Sequence, residues 1–207
     1  MPAFDAILFD FDGVLADTEP VHWACWAEVL APLGVMLEWD FYGDYCIGID
    51  DRLMLKMMAD RSEPPRNWED LWALYPAKKE IFRERMLAHP PFAPALGTFL
   101  GGLRSIYKLA VVSSSSCAEI EPLLEVAGLR EYFGTIVGGE SVKHHKPDPE
   151  PYRLAAGRLD VRTPLVVEDS EAGIASGRAA GFEVLPIGNP ADMPGLVVRR
   201  LNATGSV

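Results

Sequence analysis

A chain of 207 residues, 49% of them apolar, can bury a sizeable core and stands between one domain and two, so a core carrying a smaller inserted module is the starting expectation. Its 30 acidic against 19 basic residues give a net charge of -11, which disfavours nucleic acid or an anionic membrane as a partner and requires any anionic ligand to meet locally placed positive charge. The cysteines Cys25, Cys46 and Cys117 show no CxxC spacing, and neither a basic-then-apolar leader nor a run of about 20 apolar residues occurs, so a reduced, soluble, cytoplasmic monomer is expected.

The first apolar run, residues 6–9, reads as a buried strand that ends in Asp10-Phe11-Asp12-Gly13. After it the pattern changes. Thr18 and Pro20 signal a helix start, and Trp23, Trp26, Ala27, Leu30 and Leu33 follow at helical spacing until Gly34. Further helices are expected near residues 51–58 and over 67–86, the second interrupted at Pro76. This stretch, closed by Pro90-Pro91, reads as an all-helical insert over residues 18–90, leaving 1–17 and 91–207 as the core. Its aromatic and methionine positions read as packing.

From there strand and helix alternate. Helices are expected at 95–107, 118–127, 149–159 and 171–180, and strands at 109–112, 135–137, 165–167 and 184–187. Continuous apolar strands separated by helices imply a parallel sheet covered on both faces, a doubly wound α/β core.

Asp10 and Asp12 stand two apart directly after an apolar strand and before Gly13, where the chain leaves the sheet and where open α/β sheets bind ligands. Alone, D-x-D-G is an ordinary turn. Ser113, followed by three more serines, ends the second major strand; its hydroxyl and the neighbouring amides can cradle phosphate oxygens, although serine clusters also simply make turns and caps. Lys146 precedes Asp148, an expected N-cap, and Pro149, an expected first helical residue. The strand over 165–167 ends in Glu168-Asp169-Ser170, where Ser170 as N-cap leaves both acids to be explained. Together these segments bring Asp10, Asp12, Ser113, Lys146, Glu168 and Asp169 to one end of a sheet. Hard carboxylate oxygens suit magnesium, so Asp10, Asp12, Glu168 and Asp169 are the candidate ligands. Ser113 and Lys146 would bind and neutralise a phosphoryl group.

Four segments taken in order, Asp10-Phe11-Asp12-Gly13-Val14-Leu15-Ala16-Asp17-Thr18-Glu19, Ser113, Lys146-Pro147-Asp148-Pro149-Glu150-Pro151-Tyr152 and Glu168-Asp169-Ser170-Glu171-Ala172-Gly173-Ile174, resemble the haloacid dehalogenase superfamily. Within it they resemble the phosphatase and β-phosphoglucomutase branch, whose Rossmann-like core carries an α-helical cap. The resemblance is thin in the insert and does not extend to residues 189–207. It implies a magnesium-dependent phosphatase of small phosphorylated metabolites, of the sugar phosphate or phosphoglycolate type. In that mechanism Asp10 attacks phosphorus to form an aspartyl phosphate, and Asp12 protonates the leaving alkoxide and then activates water.

His22 matches a position that pairs with the general acid in mutases of this branch, while a histidine on an aromatic-rich helix also reads as structural. Gly48-Ile49-Asp50-Asp51-Arg52 resembles the cap loop that reaches the substrate, with Arg52 offset by one position, so Gly48 and Arg52, with Ser114, are substrate-side candidates. A phosphosugar mutase is the alternative activity. Dehalogenation is disfavoured because family dehalogenases resemble D-x-Y where this chain has Asp12. A phosphonatase would need a cap lysine, for which Lys56, Lys78 and Lys79 are available. The full set of acids, Ser113 and Lys146 argues against a binding module without catalysis.

Overall fold

The computed structural model describes residues 3–47 and 49–203. In chain order, β1 (Ala6–Phe9) is followed by five helices, α1 (Glu19–Leu30), α2 (Trp39–Tyr45), α3 (Asp51–Arg61), α4 (Trp68–Trp72) and α5 (Tyr75–Ala88). Then come α6 (Leu96–Arg104), β2 (Lys108–Val112), α7 (Cys117–Val126), β3 (Thr135–Val137), α8 (Glu150–Leu159), β4 (Pro164–Glu168), α9 (Glu171–Ala179), β5 (Glu183–Pro186) and α10 (Met193–Ala203). The chain divides into two compact units, one holding the residues up to Asp17 and from Pro90 onward, the other Thr18–His89.

In the first unit the five strands pair in parallel in the order β3-β2-β1-β4-β5. Every residue of β1 and β4 is buried, as expected of central strands covered on both faces, whereas β5 at the edge is partly open. One face is packed by alternate strand residues, Ala6, Leu8, Ala110, Val112, Val137 and Val166, against Tyr152, Ala155 and Leu159 of α8. Burying each large side chain of this kind contributes roughly 1.5–3 kcal/mol. The order runs outward from β1 through β2 to β3 and then reverses through β4 to β5. That reversal opens a crevice beyond the carboxyl ends of β1 and β4.

The second unit is helical throughout, and its core joins Trp26 and Leu30 of α1 to Tyr42 of α2, Met54 and Leu55 of α3, and Leu71 of α4. Asp50 caps α3 by accepting from the Arg52 amide, and Asn67 caps α4 from the Glu69 amide. The break expected at Pro76 falls before it: α4 ends at Trp72 and Pro76 sits in the first turn of α5, where its missing N–H costs no intrahelical bond. Two helices, α2 and α10, stand where no element was expected. The helix expected from residue 149 begins at Glu150, whose amide donates to Asp148 Oδ1 at 2.9 Å, so Asp148 caps one residue further out than its spacing suggested. Among the described residues, no helix is long and apolar enough to cross a membrane.

Candidate active site

The β1–β4 crevice gathers its polar side chains through backbone bonds that extend the sheet ladder by one residue. The Asp10 amide donates to Val167 O at 3.0 Å, and the Ser113 amide donates to Val137 O at 2.9 Å. Beyond Asp10 the chain turns sharply. Gly13 takes φ +72°, and a Cβ there would lie 2.0 Å from Asp169 Oδ2, so only glycine lets the first loop and the fourth approach this closely.

Lys146 ties three strands together. Its ammonium donates to Asp10 Oδ1 at 2.7 Å, Glu168 Oε1 at 2.6 Å and Val112 O at 3.0 Å, which engages all three of its protons. Burial alone would lower its pKa, but Asp10 and Glu168 more than offset that and hold it above the ordinary lysine value. Lys146 is therefore a fixed positive charge at neutral pH.

Glu168, with no exposed surface, is the most heavily bonded acid. Its Oε1 accepts from Lys146 and from the Tyr152 hydroxyl at 2.8 Å, and its Oε2 accepts from the Asp169 amide, the Ser170 amide and the Ser170 hydroxyl. Gly173 makes room for it, since a Cβ there would fall 1.6 Å from Oε1. Those contacts occupy the roughly four acceptor positions of a carboxylate. Glu168 is thus an anchor for Lys146 and for the first turn of α9, which Ser170 caps through the Gly173 amide.

Oxygens of Asp10, Glu168 and Asp169 lie within 4.8 Å of one another, close enough to hold a metal ion. With Glu168 committed elsewhere, Asp10 and Asp169 are the pair best able to turn oxygens toward one. This matches the demand of magnesium for one or two carboxylates completed by water and phosphate oxygens. Asp12, expected among the ligands, is not in that group; its Oδ2 accepts from the Ser115 hydroxyl at 3.0 Å.

The electrostatics point the same way. Burial pushes Asp10 up to about 8 against the pull of Lys146, with Glu168 and Asp12 adding to the rise. Asp169, which reaches solvent, is raised to about 6 by partial burial and then by Glu168. One ammonium does not balance this many acids. A divalent cation would supply the missing charge and return both carboxyls to the ionised form.

The remaining sequence candidates fall in both units. Ser113 is buried and its Oγ accepts from the Ser115 amide at 3.0 Å, while Ser114 is exposed in the same turn. Ser116 belongs to α7, where it and Glu119 form a reciprocal cap. His22 and Arg52 belong to the helical unit. His22 stacks on Phe82 with centroids 4.1 Å apart, its Nδ1 lies 2.7 Å from Lys78 Nζ, and it lines a cavity with Glu19, Tyr42 and Asp51. Burial and the Lys78 charge lower its pKa to about 3, so it is a neutral acceptor. Arg52 is exposed, its guanidinium 4.6 Å above the Trp72 ring, and Gly48 lies outside the described residues. Sequence reasoning missed Ser115 and Tyr152. Ser115 is indistinguishable by pattern from its serine neighbours, and Tyr152, in the first turn of α8, carries no local signal of its bond to Glu168.

The family described as haloacid dehalogenase-like hydrolase matches residues 7–187. The chain is 32% identical over 186 residues to fructose-1-phosphate phosphatase of Escherichia coli, covering 89% of this chain and 96% of that one. It is 33% identical over 182 residues to a phosphorylated carbohydrates phosphatase of Thermotoga maritima, covering 86% and 82%. Among solved structures, CbbY of Rhodobacter sphaeroides in complex with phosphate superposes with a TM-score of 0.63 at 29% identity, over 89% of this chain and 87% of that one.

Proposed function

This chain belongs to the haloacid dehalogenase-like hydrolase family, and from that premise we propose that it is a magnesium-dependent phosphatase of small phosphorylated metabolites, sugar phosphates foremost, working through an aspartyl phosphate. One observation carries the reading: Asp10 stands at the exit of β1 with its Oδ1 held by Lys146 and with Asp169 beside it. A carboxylate fixed by a neighbouring cation is a competent nucleophile, since the bonds that orient it leave its second oxygen to attack. The named relatives act on phosphorylated carbohydrates, which supports the substrate class.

The steps follow from the side chains. Asp10 attacks phosphorus in line, the bond from phosphorus to the substrate oxygen breaks, and Asp12 gives its proton to that leaving oxygen. Water then attacks the Asp10 phosphate while Asp12 takes the proton back, and the aspartyl–phosphorus bond breaks to release phosphate. The charge of Lys146, beside Asp10, would neutralise the phosphoryl oxygens, and the Ser113 hydroxyl would hydrogen-bond them. A magnesium ion, held by Asp10 and Asp169, would supply further charge neutralisation at those oxygens.

The test incubates the enzyme and magnesium with fructose 1-phosphate, other sugar phosphates and phosphoglycolate, following free phosphate. A parallel assay follows glucose 6-phosphate formed from β-glucose 1-phosphate. Release of phosphate from sugar phosphates is expected. Conversion of β-glucose 1-phosphate without phosphate release, dependent on a trace of sugar bisphosphate, would replace hydrolysis by the mutase activity.

A further inference from the structure

We propose that Ser115 is a positioning residue for Asp12, fixing the plane of its carboxyl so that proton transfer to the leaving oxygen needs no rearrangement; this rests on the reading of Asp12 as the proton donor. The geometry is built from three loops of the α/β unit. Ser115 Oγ donates to Asp12 Oδ2 at 3.0 Å across 103 residues of sequence.

Ser115 is itself held from both sides. Its amide donates to Ser113 Oγ at 3.0 Å, and its carbonyl accepts from the Gly139 amide at 3.0 Å. The loop after β2 is pressed so closely against the loop after β3 that a Cβ at Gly139 would lie 2.5 Å from Ser114 O. Its hydroxyl therefore sits on a backbone fixed by neighbouring loops, and one freedom remains, rotation about its own Cα–Cβ bond. The bond to Asp12 settles it.

A carboxylic acid passes its proton efficiently only when the acidic oxygen faces the acceptor within hydrogen-bond reach. An unheld aspartyl side chain rotates about its terminal torsion, which is broad and roughly two-fold. Anchoring Oδ2 restricts that rotation, and with it the orientation of Oδ1. The same anchor serves the second half-reaction, where Asp12 must receive the proton of water from a defined direction. Ser113 and Ser115 thus divide the work of one serine run: Ser113 toward the phosphoryl group, Ser115 toward the proton donor.

Leaving groups of different basicity separate this role from a merely structural one. An alkoxide cannot depart without a proton, whereas p-nitrophenolate can. Rapid-quench measurement of leaving-group release is made with an alkyl phosphate such as fructose 1-phosphate and with p-nitrophenyl phosphate, on wild type, Ser115→Ala, Ser115→Thr and Asp12→Asn. With Ser115→Ala, release from the alkyl phosphate is expected to slow about tenfold with KM unchanged, against less than about threefold for the aryl phosphate, because misplacing a catalytic group by a fraction of an ångström costs that order. Ser115→Thr, which keeps the hydroxyl, is expected to recover most of the loss. Equal loss on both substrates, a change confined to KM, or a wild-type rate in Ser115→Ala would overturn the proposal. If instead Asp12→Asn releases the alkyl group at the wild-type rate, it is the underlying reading of Asp12 that fails.

Discussion

Replacing Asp10 by Asn exchanges the charge that answers Lys146 at 2.7 Å for an amide that cannot attack phosphorus, so turnover should fall by at least about a thousandfold in folded protein. Phosphate release within tenfold of wild type would remove Asp10 as nucleophile. The two aspartates near the other loop ends offer a sharper contrast. Asp169 shares an oxygen cluster with Asp10, whereas Asp148 lies in a separate group with His144 and Glu150 and its Oδ1 accepts from the Glu150 amide at the start of α8. Asp169→Ala should therefore raise the magnesium concentration needed for half-maximal rate by about a hundredfold or abolish activity. Asp148→Ala should cost about 1 kcal/mol of stability and leave the magnesium requirement where it was. Magnesium titrations of the two variants measure this, and equal effects would refute the assignment of the metal to Asp169. Asp10 and Asp169 were legible in the sequence because each follows an apolar strand directly. Ser115 and Tyr152 were not, because their importance comes from partners 103 and 16 residues away, set by sheet order and loop packing and not by local pattern.

At the scale of elements, legibility tracks how completely a segment is buried. β1, β2, β3 and β4 emerge from the sequence nearly to the residue, since strands covered on both faces read as unbroken apolar runs. α2 escaped notice because its Trp39-Asp40-Phe41-Tyr42-Gly43-Asp44-Tyr45 mixes β-favouring aromatics with a glycine; Tyr42 is its one buried residue, held there with its hydroxyl donating to Glu19 at 2.8 Å. The contact between α1 and α5 was equally invisible. It buries Lys78 to 3% exposure and sets its ammonium against His22, with Asp51 at 3.5 Å as counter-charge. A histidine whose folded pKa is depressed stays neutral while the unfolded chain binds a proton, so its contribution is present above the ordinary value of 6.5 and is lost as pH falls toward about 3. The His22 ring proton should accordingly show no NMR titration between pH 7 and pH 5. A midpoint above pH 6 would show that the ring is not held as a buried acceptor for Lys78.

For the molecule as a whole, the surplus of acidic charge and the acid cluster of the β1–β4 crevice couple stability to both pH and metal. In the metal-free protein Asp10 and Asp169 keep protons over a range where the unfolded chain has already lost them. When the folded state binds more protons than the unfolded one, stability falls as pH rises. For Asp169 that fall runs from the ordinary carboxylate value of 3.8 to about 6, and for Asp10 it continues to about 8, so the interval from pH 6 to pH 8 belongs to Asp10. His22 opposes that fall at the low end of the interval, near its ordinary value of 6.5, where the unfolded chain still carries part of a proton that the folded ring lacks, but this rise is smaller than the Asp10 fall across the whole interval. In chelator, the thermal midpoint should then be several degrees lower at pH 8 than at pH 6, given about 2–4 °C per kcal/mol for a chain of this size. Asp10→Asn, which has no proton to release, should flatten that difference. Magnesium should raise the midpoint more at pH 8 than at pH 6, because at the higher pH it binds carboxylates without displacing protons. Thermal scans of wild type and Asp10→Asn at the two pH values, with and without magnesium, measure all three effects. A chelated wild type equally stable at pH 6 and pH 8 would mean that Lys146 alone keeps Asp10 ionised, and the electrostatic argument for a divalent cation in the crevice would fall with it.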